Sequence, residues 1–495
     1  MKFRNYLLCV LVLMLALLAG CQNTPAEPTT TAPVVTDPPV EQLAVVVTEE
    51  NIDLLEQYPA LKQLDLTGST CYDAIAQYIS KHPNVEVTYT VKFGTATVNN
   101  YETALVLDPG GCDFETLSAN LKYLTKLETV SLPRTTYSAQ EIVALQGLYP
   151  DVVFDFTMIL LGQELTGETT ELNLSVLEPG RVEEVAGKLG LFPNIAKVEL
   201  MDSYGQSQLS MADVKLLQDN APNTIFHYIF TLFGKTVATT DERIEFVKED
   251  IGNEGEEELR NALDILRGCS YLLLDDCGFD NEVLAQVRED YPNTEVVWRI
   301  HVWQRSWLTD TDTIRAVYHV DDTNCEPFKY CTKTKYIDMG HNEELTDISF
   351  ISYMPDLEIV ILSGSPITDL TPFEDHTQLV FLELAHCGYL KDVTPLASCT
   401  SLANLNLSYT KVDDISSLYE LPFEQLCAVQ SKIVWKDWQK IIDLHPDCAI
   451  RYEGTQPYGT GWRYKKSGAY TDIYKKVREV FNLDEVDKLI AAGAK

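Results

Sequence analysis

LVFLELAHC, residues 379–387, carries apolar side chains at Leu379, Leu382 and Leu384 and closes on the small Cys387. An apolar-x-apolar triplet alternates as a strand does, so Leu382 and Leu384 share one face while Phe381 and Glu383 share the other. The ninth residue must be small and able to hydrogen-bond the turn that follows. The same frame recurs at LKQLDLTGS (61–69), LETVSLPRT (127–135), IAKVELMDS (195–203), CSYLLLDDC (269–277), TKYIDMGHN (334–342), LEIVILSGS (357–365), LANLNLSYT (402–410) and, degenerately, FEQLCAVQS (423–431). So regular a recurrence marks a repeat protein, whose units bury their apolar faces only by stacking on their neighbours.

Spacing divides the repeats into two systems. From about residue 332 to 432 the frames follow one another roughly every 22 residues, joined by LTDISFI (345–351), ITDLTPF (367–373), LKDVTPL (390–396) and VDDISSL (412–418). Such short connections leave room for a tight turn or a 3-10 piece, not a long helix. The N-terminal part runs on a cycle of roughly 70 residues: a frame strand, then a helical segment such as SAQEIVALQGLYP, then an X-Pro-Asn/Asp stop. The stops are HPN at 82, YPD at 149, APN at 221 and YPN at 291, with HPD again at 445. Proline bars the residue before it from helical geometry, and VEVTYTV, VVFDFTM, TIFHYIF and TEVVWRI then alternate as strands. Three of these run on to Gly94, Gly162 and Gly234, each read as a hairpin turn. Weaker frames lie between, at YETALVLDPGG (101–111) and TTELNLSV (169–176).

The nine-residue frame resembles the leucine-rich repeat consensus, whose ninth position is Asn or Cys, and the short block is similar to the bacterial class exemplified by internalins. The resemblance covers most of residues 55–455. It implies an α/β solenoid: a curved parallel sheet, helices or 3-10 turns on the convex side, and β-hairpin insertions. It also implies that Cys277 and Cys387 are small buried ladder residues rather than nucleophiles or metal ligands. The resemblance speaks to architecture more than to partner, because such repeats serve many unrelated ligands.

The chain opens with Lys2 and Arg4, an apolar run from Tyr6 to Leu18, and Leu18-Ala19-Gly20-Cys21. This looks like a bacterial lipoprotein signal, with Cys21 as the lipidated mature N-terminus. Two acyl chains hold a soluble domain on a membrane surface, which one would not. Gln22 to Val40 is a Pro/Thr-rich spacer with too little apolar content to fold. The expected organisation is therefore a signal peptide (1–20), a linker (21–43), long-cycle repeats (44–312), short leucine-rich repeats (313–454) and a C-terminal cap (455–495). In the cap, Ile473, Val477, Val480 and Phe481, then Val486, Leu489 and Ile490, recur at helical spacing and would cover the last core layer.

Losing Lys2 and Arg4 lowers the basic count from 38 to 36 against 74 acidic residues, a net charge of −38 for the mature chain. A surface so acidic repels nucleic acid and anionic lipid, so membrane association is expected through the lipid anchor only. Cationic proteins, divalent ions and neutral glycans remain as partners.

Motifs for chemistry are few. FGKT at 233–236 has Ile229 where a phosphate loop needs glycine, and it aligns with the KFGTA and LLGQE turns of sister cycles. His319, Asp321, Asp322, Cys325 and Cys331 crowd the junction between the repeat systems without a recognised metal spacing, leaving a metal, a Cys325–Cys331 disulfide or ordinary packing as readings. GNEGEEE at 252–258 lacks the register of a calcium loop. No catalytic residue, cofactor or metal is assigned, and the chain is read as a non-enzyme.

What remains is surface. Positions three and five of the frame point away from the core onto the concave sheet. Down the short block they place Tyr336, Ile359, Phe381 and Asn404 in one column and Asp338, Ile361, Glu383 and Asn406 in the next. With strands about 4.8 Å apart, the apolar members would make one exposed patch inside a polar rim, fitted to a protein or glycan at the cell surface. The bland reading of the patch is that the C-terminal segment covers it or that its residues are merely tolerated strand formers; the alternative functions are an envelope spacer without a dedicated ligand and a metal-dependent enzyme at the 319–331 junction.

Overall fold

The computed structural model describes residues 39–491, so the signal segment, Cys21 and most of the linker lie outside the described residues. The chain divides into two compact units, one of residues up to 107 with 111–130, the other of 108–110 with 131 onward.

In the first unit, strands Gln42–Ala44, Gln63–Asp65 and Glu86–Thr88 form a parallel sheet in chain order. Helix Tyr72–Lys81 joins the last two and ends at His82, immediately before Pro83. An antiparallel hairpin, Thr90–Phe93 with Ala96–Asn99, follows and turns at Gly94. Gly94 has a φ of +55°, and any Cβ there would lie 2.0 Å from the Gly111 carbonyl oxygen, so only glycine fits.

The second unit repeats the scheme. Parallel strands Glu171–Asn173, Lys197–Glu199 and Ile225–His227 form one sheet. Arg243–Val247, Tyr271–Asp275 and Glu295–Val302 form another, extended by antiparallel Arg305–Leu308. Helices Ala139–Leu148 and Met211–Asn220 begin with reciprocal caps in which Ser138 pairs with Glu141 and Ser210 with Asp213. Each ends one residue before an X-Pro step, as do Asn281–Asp290 and Trp435–Leu444. The hairpins at Gly162 and Gly234 are present, with Leu161 and Phe233 also at positive φ. FGKT is thus a turn, and Lys235 sits in its return strand. The fourth cycle also makes a hairpin, without glycine: Trp303 takes a φ of +53° at the tip.

The short block forms a seven-stranded parallel sheet in chain order: Thr313–Arg315, Tyr336–Asp338, Ile359–Ile361, Phe381–Glu383, Asn404–Asn406, Gln425–Cys427 and Ala449–Arg451. Short 3-10 pieces, Glu326–Tyr330, Ser349–Tyr353, Thr371–Phe373, Thr394–Ser398 and Ser416–Leu418, join successive strands up to the sixth. Leu379, Leu382 and Leu384 are fully buried, as the frame requires. The ninth position is buried at Asn342, Ser365, Cys387 and Thr410, and three of these four side chains bond the turn. Asn342 Nδ2 donates to the Ala316 and Met339 carbonyls, Cys387 Sγ to Leu362 and Thr410 Oγ1 to Leu407. A small side chain with a donor is what that corner needs, because the turn leaves backbone carbonyls without ladder partners.

Candidate functional site

In-register pairing brings the eight sheet residues together as two columns. The exposure expected of them is corrected by the structure. Ile359 is 0% exposed, Phe381 1%, Ile361 9%, Glu383 2%, Asn404 2% and Asn406 0%; Asp338 is buried and Tyr336 half-buried. They are covered by residues 455–481 of the same chain, which lie across this face rather than over the end of the stack. Helix Trp435–Leu444 and strand Ala449–Arg451 occupy that end.

The covering segment is built for its seat. Trp462, Tyr474, Val477 and Phe481 join Ile359, Ile361, Phe381, Cys427 and Val429 in one apolar cluster, with the Trp462 ring 4.9 Å from that of Phe381. Thr471 caps helix Asp472–Val480 and donates to the Trp462 carbonyl, fixing the loop to the helix. Asn406 Nδ2 and the Cys427 thiol both donate to the Pro457 carbonyl. Charge matches as well: residues 455–481 carry Arg463, Lys465, Lys466, Lys475, Lys476 and Arg478 against Asp472 and Glu479, and the sheet presents Asp338, Glu358 and Glu383. Lys476 Nζ lies 2.7 Å from Glu358 and 5.5 Å from the Tyr336 ring centre. An apolar patch with acidic neighbours needs a partner, and the chain supplies one.

Glu383 is the polar centre of this contact rather than part of a rim. Its carboxylate accepts from Ser363 Oγ at 3.0 Å and from Trp462 Nε1 at 2.5 Å, and Arg463 lies 3.9 Å away. Burial nonetheless raises its pKa above the ordinary value, because desolvation outweighs Arg463 and both hydrogen bonds. Burial raises Asp338 too, despite Arg315 at 3.0 Å.

A second row of side chains, which the frame did not mark, runs along one edge; His341 and His386 are exposed, and Tyr409 is half-buried with its hydroxyl donating to the Thr455 carbonyl. At position eight the backbone is left-handed at Arg134, Asp276, His341, Gly364, His386, Tyr409 and Gln430. The amides of His341, Gly364, His386 and Tyr409 donate to Ser363, Ala385, Ser408 and Val429, so these residues hold register along one edge. Their rings stack: His386 on Tyr409 at 4.5 Å, and His341 on Tyr318 at 5.5 Å. A Cβ at Gly364 would sit 3.3 Å from the His341 ring, so glycine gives that imidazole its place. Trp303, 51% exposed at its hairpin tip, stacks on His319 at 4.0 Å. The sequence signal was the residue type alone: the frame places aromatic or imidazole side chains at that position in three of the five short repeats.

The 319–331 junction holds no assembled cluster. His319 is exposed on its stack, whereas Cys325 and Cys331 are separate buried thiols, raised by burial to about 11 and about 12. Asp322 instead accepts from the Thr346 and Asp347 amides. Residues 252–258 become a helix start, with Glu256, Glu257 and Glu258 in the first turn, where the helix dipole favours them. Among the described residues, no group of three or more His, Cys, Asp and Glu side chains is placed to hold a metal ion, and no helix is long and apolar enough to cross a membrane.

No protein-family model and no curated protein matches the chain. Solved structures that resemble it include bacterial leucine-rich repeat proteins. An internalin from Listeria monocytogenes is 15% identical, covers 78% of this chain and 91% of its own, and has a TM-score of 0.28. A leucine-rich repeat protein of Leptospira interrogans is 14% identical over 82% and 93%, with a TM-score of 0.26. The InlJ functional domain from Listeria monocytogenes, described as including a cysteine ladder, is 18% identical over 46% and 45%, with a TM-score of 0.24. At such scores the likeness carries no weight on function, which rests on the residues themselves.

Proposed function

We propose that the chain is a non-catalytic recognition protein: a curved leucine-rich repeat solenoid, anchored by a lipid on Cys21 at the outer face of a cell membrane, that binds a macromolecular partner, protein or glycan. The observation that carries this reading is the edge row of stacked rings at Trp303, Tyr318, His319, His341, His386 and Tyr409, of which His341, His386 and Tyr409 are held in register by their backbone amides. All of these but Tyr409 are exposed, and large rigid rings presented to solvent give contact area at low entropic cost, as anchors of binding surfaces do. The sheet residues Tyr336, Asp338, Ile359, Ile361, Phe381, Glu383, Asn404 and Asn406 keep a binding role as the seat of the C-terminal segment. A partner reaches them only by displacing it.

Affinity capture from surface extracts tests this with three proteins: the mature chain, a Tyr318→Ser/His341→Ser/His386→Ser variant, and a chain lacking residues 455–495. A partner held by the mature chain and lost from the triple variant supports the edge. A partner held only by the shortened chain moves recognition to the sheet face. A partner held equally by all three removes both surfaces.

A further inference from the structure

One recess on the edge row has a composition that names its ligand. Trp303, Tyr318, His319, Val320, Asp321, His341, Glu343 and Glu344 line about 430 Å³. Trp303 and Tyr318 are 51% and 56% exposed, large areas for aromatic residues, and each is braced from behind by an imidazole stack. Asp321, Glu343 and Glu344 have no ion-pair partner among the described residues, and no lysine or arginine lines the recess. Asp321 spends one carboxylate oxygen, Oδ1, on Thr323.

The same combination occurs elsewhere in this molecule with a cation in it. Lys476 bonds Glu358 at 2.7 Å while lying over Tyr336, and Arg243 bonds Glu245 while its guanidinium lies 3.7 Å from the Tyr271 ring centre. At each, a ring face and a carboxylate take one ammonium or guanidinium between them. The recess at Trp303 offers two ring faces and three carboxylates without one. A neutral sugar could stack on the rings but would gain nothing from three uncompensated charges, whereas a cation is drawn by both. The net charge of −36 on the whole chain adds long-range attraction for a basic partner.

We infer that this recess binds a lysine or arginine side chain of a basic peptide segment on a partner protein. The inference rests on the edge row being the recognition surface and adds the chemistry of what it recognises.

The test titrates the mature chain with an acetylated, amidated Gly-Arg-Lys-Arg-Lys-Gly peptide, using its glutamine-substituted counterpart and maltohexaose as controls, by calorimetry. The expected result is binding of the basic peptide alone, weakened as salt rises because the charges are exposed. Trp303→Ala and Glu343→Gln/Glu344→Gln should each weaken it about tenfold, which is ~1.4 kcal/mol. Trp303 is exposed and Glu343 and Glu344 lie in solvent, so unchanged melting curves confirm that both variants fold. Basic-peptide binding that is equal in all three proteins, or maltohexaose binding with none of the peptide, overturns the inference. If the edge variant loses its captured partner while the peptide fails to bind, only the cationic chemistry falls. If the partner is retained and the peptide fails, the edge reading falls with it.

Discussion

At the scale of single residues, Glu383 and Phe381 decide how the C-terminal segment is held. Phe381→Ala leaves a void beneath Trp462 in a contact that is 1% exposed, and should cost about 3–5 kcal/mol of docking. Faster proteolysis of residues 455–495 and a shift in tryptophan emission would report it; an unchanged cleavage rate would contradict the packing described. Glu383 adds a pH dependence of definite sign. Its carboxyl is raised in the folded chain, so the native state binds more protons than the unfolded one above the ordinary value of 4.5. Stability from this site is therefore greatest in acid and is lost as pH rises from that value through the raised one. Glu383→Gln keeps an acceptor for Trp462 and removes the titration. The melting temperature of the wild type should fall relative to that of the variant as pH increases over this window, and parallel curves would refute the burial argument.

At the scale of the element, each short repeat is closed by an aspartate two residues before the amide it accepts from: Asp347 to Ser349, Asp369 to Thr371, Asp392 to Thr394 and Asp414 to Ser416. This is the Asp of LTDIS, ITDLT, LKDVT and VDDIS, and it nucleates the 3-10 turn. The Thr394 amide and hydroxyl hold the Asp392 carboxyl below its ordinary value, so its contribution is present above that value and is lost as pH falls through the lowered one. Asp392→Ala should cost about 1 kcal/mol, read from denaturant midpoints at neutral pH. A shift no larger than that of a neighbouring surface alanine would mean that the turn forms without its cap. Elements of this kind were legible in the sequence because each depends on neighbours within a few residues: frame strands, X-Pro helix stops and glycine hairpins all stand where periodicity and turn chemistry put them. The glycine-free hairpin at Trp303 escaped because its strain is held by the strands on either side, not by its own residue type. Position eight escaped because a frame built on hydrophobic spacing records which side chains are buried and says nothing about backbone handedness.

At the scale of the whole molecule, sequence could place Ile359, Ile361 and Phe381 on one sheet face but not say what lay above them. That depends on residues 455–481 returning across separations of 79 to 118 positions, and helical spacing such as Ile473, Val477 and Val480 fits equally well as an end cap or as a cover. The basic charge of the segment was the usable clue, since the rest of the chain is so acidic. Removing residues 455–495 should leave the repeats folded and bare a contiguous apolar face at Ile359, Ile361, Phe381 and Val429. Light scattering and binding of a hydrophobic dye should both rise; a shortened chain that stays monomeric and dye-free would mean that the face closes by other means.

The interior thiols carry a practical consequence. Cys387 and Cys399 lie in the repeat that starts at Leu379 and Cys427 in the one that starts at Phe423, all with 0% exposure, and burial lifts Cys387 and Cys399 to about 12, so almost none of either is thiolate near neutrality. An alkylating reagent added to the native protein can react with them only during moments when the surrounding layer breathes. The rate at which each cysteine acquires the label thus clocks the opening of its own repeat, and the molecule carries from birth a set of stopwatches distributed along its length.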